Sequence, residues 1–506
     1  MGKDLRVRRL LLIIVCLCTA MAPSGARAEQ RIGLAAATFA EAWGNPFAST
    51  SVTRLPLQSA VFDPLTLVTA DGELLPWLAV AWRQTAPTLW RISLRADVVF
   101  SNGEILDAAA VAAAFAYLAA PEGRREAVSR EFADVVAARP IDPLTLDIET
   151  ARPDPLLPYR LSLISPPAPA AWAALGRDAF ARQPVGTGPL ALTELTPSRA
   201  RLVKSTTSWR TVAFDTLDYL ILPDPASRRA ALATGEADIA PTSVTPELFG
   251  DILAIGGSVL ADRIPAVVGV VFNTAIDSPL RDPRVRRALT HAVDRRALVD
   301  SLFAGKTDVA AQPAPHGSFG FNAALKPLAY DPDLARRLLA EAGHPKGFAF
   351  TIEVPTGAVM FPDVFQQVAS DLARVGVAME VRAIPQQVLF DHIQRSGFDV
   401  AAAAIPIFTP VGDAMHPMRQ HSCLWHKPWF CDPDAMPGIE AAFAESDLDR
   451  RRALTESVLA RAHDTAQALY LYDTVAFVAL GPRIEKFRID FSFIRYEEIR
   501  LRNAPG

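Results

Sequence analysis

The chain has 506 residues, with 51 basic against 55 acidic side chains and a formal net charge of −4 at pH 7. Half of the residues are hydrophobic and 41 are proline, enough apolar material for two or more domains, divided into many short elements. So mild an acidic balance argues against a nucleic acid or an anionic membrane surface as the partner.

The N-terminus reads as a secretory signal. Lys3, Arg6, Arg8 and Arg9 precede an apolar run from Leu10 to Ala20, and "PSGARA" then sets Ala26 and Ala28 in a small-x-small pattern. Cleavage after Ala28 is expected. Cys16 follows Val15 and Cys18 follows Leu17, whereas a lipoprotein signal needs a small residue before its cysteine. The Arg8-Arg9 pair lacks the polar surroundings of a twin-arginine signal. Removing residues 1–28 takes away five basic residues and one acidic residue, so the formal charge moves from −4 to −8. Charged residues or prolines interrupt every later apolar run, which leaves no membrane span, and a soluble exported protein is expected. Only Cys423 and Cys431 then remain. In an oxidising compartment such a pair usually forms a disulfide.

The elements that follow are legible from periodicity and punctuation. "LWRISLR" puts Trp90, Ile92 and Leu94 on one face of a strand. A turn follows, and Asp107 is set to cap a helix whose inner face carries Val111, Phe115 and Leu118. "PLTLDIET" alternates again, with Leu144, Leu146 and Ile148 on one side. Asp282 with Pro283, and Asp331 with Pro332, are N-cap and first-turn pairs, and Gly343 is a C-cap. Phe365, Val368 and Leu372 share one helical face before a stop at Gly376. Strands alternate with helices through this half, the mark of an α/β domain.

Catalytic signatures are absent: neither G-x-S-x-G nor H-E-x-x-H occurs. "AGKT" at 304–307 lacks the glycine that a phosphate loop needs at position 300, which is Asp300, and reads as a helix ending at Gly305. "VGTGPL" at 185–190 reads as a turn where backbones approach closely. His291 and His463 sit in predicted helices without a partner at i+4 and are assigned structural roles. No enzyme and no cofactor is expected.

Taken together, "VFDPLTLVTADGELLPWLAVAW", "LWRISLRADVVFSNGEILDAAAVAAAF", "PVGTGPLAL", "LDYLILPDPASRRAALATGEADIAP", "VFNTAIDSPLRDPRVRRALTHAVDRRALVDSLFAG" and "YDPDLARRLLAEAG" resemble the family 5 solute-binding proteins. These are the periplasmic peptide- and nickel-binding components of ABC importers. The resemblance implies an α/β, two-lobed periplasmic binding protein fold (type II) with an extra subdomain in the first lobe. The first lobe would be 29–265, holding the subdomain at about 52–182 and completed by 475–506; the second would be 266–474. It further implies a monomer that captures a small-molecule or peptide ligand in the cleft between lobes. The ligand would then pass to an ABC permease and ATPase complex in the inner membrane.

The same resemblance implies a Cys423–Cys431 disulfide near the cleft and suggests ligand contacts. Ser49, Thr50 and Ser51 in "NPFASTSV" match the first-lobe cleft segment. Dipeptide-binding relatives hold the ligand's amino group with a Trp-x-x-Asp motif and its carboxylate with an arginine. Here Ile405 and Phe408 take the places of that tryptophan and aspartate, and "EVPTGAVMFPD" has no arginine. A strict dipeptide binder is therefore not expected, since a buried carboxylate without a charged partner is costly. Asp413 is a candidate partner for a cationic ligand group, and Phe408, Trp425 and Trp429 could form an apolar or cation–π wall. The alternative is a nickel or metal-chelate binder. His416, His421 and His426 recur every five residues, a step that scatters them around a helix, yet a loop could gather two of them with Asp413 as metal ligands, His416 first.

Overall fold

The computed structural model describes residues 29–39, 43–48, 55–241, 249–356, 362–409 and 412–502. The secretory signal, Ser49, Thr50 and Ser51 lie outside these residues.

A mixed sheet of ten strands runs through the protein. Its order is Val377–Pro385, Phe348–Thr356, Ala402–Phe408, Ser258–Phe272, Ala468–Leu480, Ile239–Pro241, Arg31–Ala36, Thr216–Ile221, Arg199–Lys204 and Leu190–Thr196. Three strands at one end are mutually parallel, as are Ile239–Pro241, Arg31–Ala36 and Thr216–Ile221 near the other. Antiparallel pairs join them at the centre. Arg31–Ala36 and Ala402–Phe408, which lie inside these parallel sets, are largely buried and read as apolar runs, whereas the edge strand Val377–Pro385 alternates buried with exposed residues.

The two central strands are the longest, at 15 and 13 residues. They pair from Ser258 opposite Leu480 to Arg263 opposite Val475, and resume at Val267 opposite Asp473. The chain thus advances four positions on one strand against two on the other. Pro265, which cannot donate to a ladder, falls inside this bulge. On one side of the break the pair joins Ile239–Pro241; on the other, Ala266–Phe272 joins Ala402–Phe408.

Residues 79–150 build a separate four-stranded antiparallel sheet, ordered Ala79–Ala86, Leu89–Leu94, Thr145–Thr150, Val135–Asp142. The helix Ala108–Ala119 packs on it through Val111, Phe115 and Leu118. Trp90, Ile92, Leu94, Leu146 and Ile148 are buried as the alternation predicts. Leu144 precedes its strand and stays exposed. Asp147, on the expected polar face, is buried because Arg91 grips it through two hydrogen bonds of 2.8 Å.

The predicted caps form. Asp107, Asp282 and Asp331 accept from backbone N–H groups of the first turn, and Gly343 and Gly376 adopt left-handed φ of +90° and +86°. The helix expected to end at Gly305 ends instead at Phe303, because Ala304 itself takes the left-handed cap at φ 50°. At Gly186 a Cβ would lie 2.0 Å from the Val61 carbonyl oxygen, which accounts for the "VGTGPL" glycine. His291 and His463 hydrogen-bond to the carbonyls of Ala329 and Lys326, both structural contacts.

Candidate functional site

Strand Ala402–Phe408 ends beside a loop that returns at Gly412 and leads through the histidine- and cysteine-rich stretch. That loop is pinned from two directions. The Phe319 backbone N–H donates to Gly412 O at 2.6 Å and Ala414 N–H donates back to Phe319 O at 3.0 Å. The Arg451 guanidinium donates to Asp413 Oδ2 at 3.0 Å, while Asp413 Oδ1 accepts from Met415 N–H at 3.0 Å. Both charges of this ion pair are buried. Asp413 is thereby committed to Arg451 and holds the loop in place.

Beside the loop lies a cavity of about 160 Å³. Phe390, Gln394, Pro406, Phe408, His416, Gln420 and His421 line it together with aliphatic residues. No Asp, Glu, Lys or Arg is among its described lining residues. Phe408, 42 % exposed, stands at the mouth. Burial pushes the His416 imidazole below its usual range; the carboxylates of Glu131 and Asp413 oppose this, and Arg419 and Arg160 add to it. His416 is therefore a neutral imidazole at pH 7. Deeper in, complete burial lowers His421 to about 3.

Glu131 and Arg160 come from the region that carries the four-stranded sheet. Arg160 donates to the Glu131 carbonyl at 2.8 Å and pairs with Asp154. The same region touches the pinned loop elsewhere: Tyr159 and Phe319 lie 6.2 Å apart between ring centroids, and Arg452 sits 4.7 Å over Phe319. Gly72 and Gly317, at φ +81° and +84°, meet backbone to backbone, with room for no side chain between them.

Of the other expected contacts, Cys423 and Cys431 form the disulfide. Trp425 donates its indole N–H to the Ile393 carbonyl at 2.9 Å and meets the His426 ring at a tilt of 55°, with centroids 4.8 Å apart. Trp429 is 3 % exposed and sits edge-on to Phe398 and His421, so it supports the cavity from behind and does not line it. His416, His421 and His426 do not share a site: the first two border the cavity, and His426 is exposed. Gln394, Gln420, Phe390, Glu131 and Arg160 went unnoticed in the sequence. Phe390 and Gln394 belong to a short helix, Gln386–Asp391, that widens into a π turn at His392–Ser396, too brief to announce itself by periodicity.

The mixed α/β architecture falls in the class of two-lobed periplasmic binding proteins. The description "Bacterial extracellular solute-binding proteins, family 5 Middle" matches residues 73–422, and the chain belongs to that family of ABC-importer solute-binding proteins. The nickel-binding periplasmic protein of Escherichia coli K12 is 27% identical over 466 residues, 82% of this chain and 83% of the relative. The glutathione-binding protein GsiB of Salmonella paratyphi A is 28% identical over 304 residues, 58% of each chain. The crystal structure of NikA from Brucella suis in complex with Fe(III)-EDTA superposes with a TM-score of 0.77 at 23% identity, covering 93% of this chain and 100% of that one; it shares the two-lobed fold. Among the described residues no helix is long and apolar enough to cross a membrane.

Proposed function

We propose that this protein, exported and cleaved after Ala28, is a monomeric periplasmic receptor that captures a peptide or peptide-like small molecule and passes it unchanged to an ABC permease. The lobe boundary in this reading falls at the register break, between Arg263 and Val267 on one strand and Val475 and Asp473 on the other. Two strands cross there, and a bulge holding a proline has few ladder bonds to resist bending. A ligand touching both lobes favours the closed arrangement and draws the population toward it.

The carrying observation is the uncharged lining of the cavity beside His416. At about 160 Å³ it is a subsite for one side chain or blocked end, well below the roughly 300–1,000 Å³ of a whole small-molecule pocket. Phe408 and Pro406 supply apolar contact, while Gln394, Gln420 and neutral His416 supply hydrogen bonds. With Asp413 consumed by Arg451, a free ammonium has no carboxylate here, which favours a modified or longer peptide over a dipeptide. Ser49, Thr50 and Ser51 are retained in this reading as further hydrogen-bonding candidates on the strength of the family resemblance alone. Trp425 and Trp429 brace the wall, and Asp413 positions the loop.

The second reading, a nickel or metal chelate, draws on the neutral imidazole of His416 and on the nickel-binding relative. Thermal melting separates the two. Under the first reading, longer peptides and peptides with a blocked amino end raise the melting temperature, and replacing Phe408 by Ala abolishes the gain. Stabilisation by nickel or its chelates alone, reversed by a chelator and lost in His416→Gln, would replace the peptide reading.

A further inference from the structure

A second group of ligand-type side chains lies at the strand crossing. Asp473 follows the register break directly, opposite Val267. Its buried carboxylate oxygen Oδ2 accepts the His316 backbone N–H at 3.1 Å and lies 2.8 Å from His316 Nδ1. The Asp473 backbone N–H donates to Asp308 O at 3.0 Å, and this sets the Asp308 carboxylate 3.9 Å from His316 Nδ1. One ligand atom from each of Asp308, His316 and Asp473 lies within 4.8 Å of the other two.

These three residues border a cavity of about 570 Å³ that shares no residue with the one beside His416. Its cationic residues are engaged elsewhere: Arg295 on the carbonyls of Ala310 and Tyr470, Arg296 on Asp300, and Lys326 on Ala323 O. Arg263 approaches Asp308 to 3.6 Å and Asp71 to 3.6 Å, too far to hydrogen-bond either. Clipping the 307–316 segment to the strand requires only Asp473 and His316. The second carboxylate is half-exposed and has no hydrogen-bond donor among the described residues, so a cation can engage it without breaking a hydrogen bond of the fold.

We propose that Asp308, His316 and Asp473 form a binding site for a divalent transition cation of the zinc or nickel type. One imidazole nitrogen and two carboxylates are a donor set that such ions accept, with cavity water filling the remaining positions. The cation takes the place of the hydrogen shared between His316 and Asp473, and it replaces Arg263 beside Asp308. The site shares no lining residue with the cavity beside His416 and holds its cation whatever solute that cavity takes.

The test is calorimetric titration of the chelator-stripped full chain with ZnCl₂ and NiCl₂, alongside Asp308→Asn, His316→Gln and, as a cleft control, His416→Gln. Asp308 is half-exposed, so its isosteric replacement keeps the fold, and unchanged thermal melting of the stripped variant checks this. The expected result is one saturable site that persists in His416→Gln and weakens at least tenfold in both other variants. Absence of saturable binding in the parent chain overturns the proposal. So does binding that Asp308→Asn leaves untouched. A site lost only in His416→Gln belongs to the cleft, and counts for the metal-chelate reading and against this one.

Discussion

Arg451 and Asp413 show how a candidate ligand contact becomes a structural pair. Both are buried, and the pair anchors the cavity-side loop to the helix Leu448–Asp464. Removing one partner strands the other charge, so Arg451→Met should cost about 3–5 kcal/mol in chemical denaturation and loosen the loop. A loss below about 1 kcal/mol would mean that the carboxylate has a second partner. Two buried titrating groups set the pH response with opposite signs. Asp262, buried and among the described residues taking hydrogen bonds only from Ser492, rises to about 7. Between the ordinary carboxylate range and 7 the folded state alone keeps that proton, so stability falls as pH rises through this window. Asp262→Asn should therefore raise the melting temperature at pH 8 and leave it unchanged below pH 4. His421, lowered to about 3, works the other way. Its unfolded form gains a proton below about 6.5, so stability present at neutral pH is lost as pH falls toward 3. His421→Gln should flatten that acid limb, to be followed by melting from pH 4 to 7.

The 416–431 segment holds its shape with little regular structure: one 3₁₀ turn, His416–Arg419, and then a disulfide-closed loop. Closing so short a loop is worth about 2–3 kcal/mol in lost chain entropy. Cys423→Ser, or reduction of the bond, should lower stability by that amount, measured in urea, and leave the ten-stranded sheet intact by circular dichroism. Capped helices and alternating strands were readable in advance because each carries its own local signal: Asp107 before an apolar stripe, Trp90-Ile92-Leu94 on one face. The helix end at Ala304 was misjudged by two residues because glycine is the usual left-handed residue and alanine is not. The cavity was half legible. Phe408 and His416 were named, but the commitment of Asp413 to Arg451 depends on a helix 38 residues away, and no local pattern reports such a pairing. Gln394 and Arg160 are brought near by tertiary packing, whereas Gln420 is set beside His416 by the local 3₁₀ turn.

The meeting of Gly72 with Gly317 ties the region of the four-stranded sheet to the loop that carries Phe319. A Cβ on Gly72 would sit 1.7 Å from the Gly317 carbonyl oxygen, at a φ of +81° that a side chain disfavours. Gly72→Ala should therefore cost at least about 1 kcal/mol in thermal melting and increase the radius of gyration in solution scattering. An unaltered melting curve and scattering profile would show that this contact is not what keeps the two parts together.

One feature of the core governs how the chain can acquire its structure at all. Ile32 and Leu34, among the first described residues, are packed by Val478, Leu480, Ile484, Ile494, Tyr496 and Ile499, among the last. A chain delivered amino end first cannot complete that cluster until its tail arrives. The core under the four-stranded sheet draws almost wholly on residues 47–168 and needs no such wait, so the cluster that closes last is the one joining the two ends of the described chain.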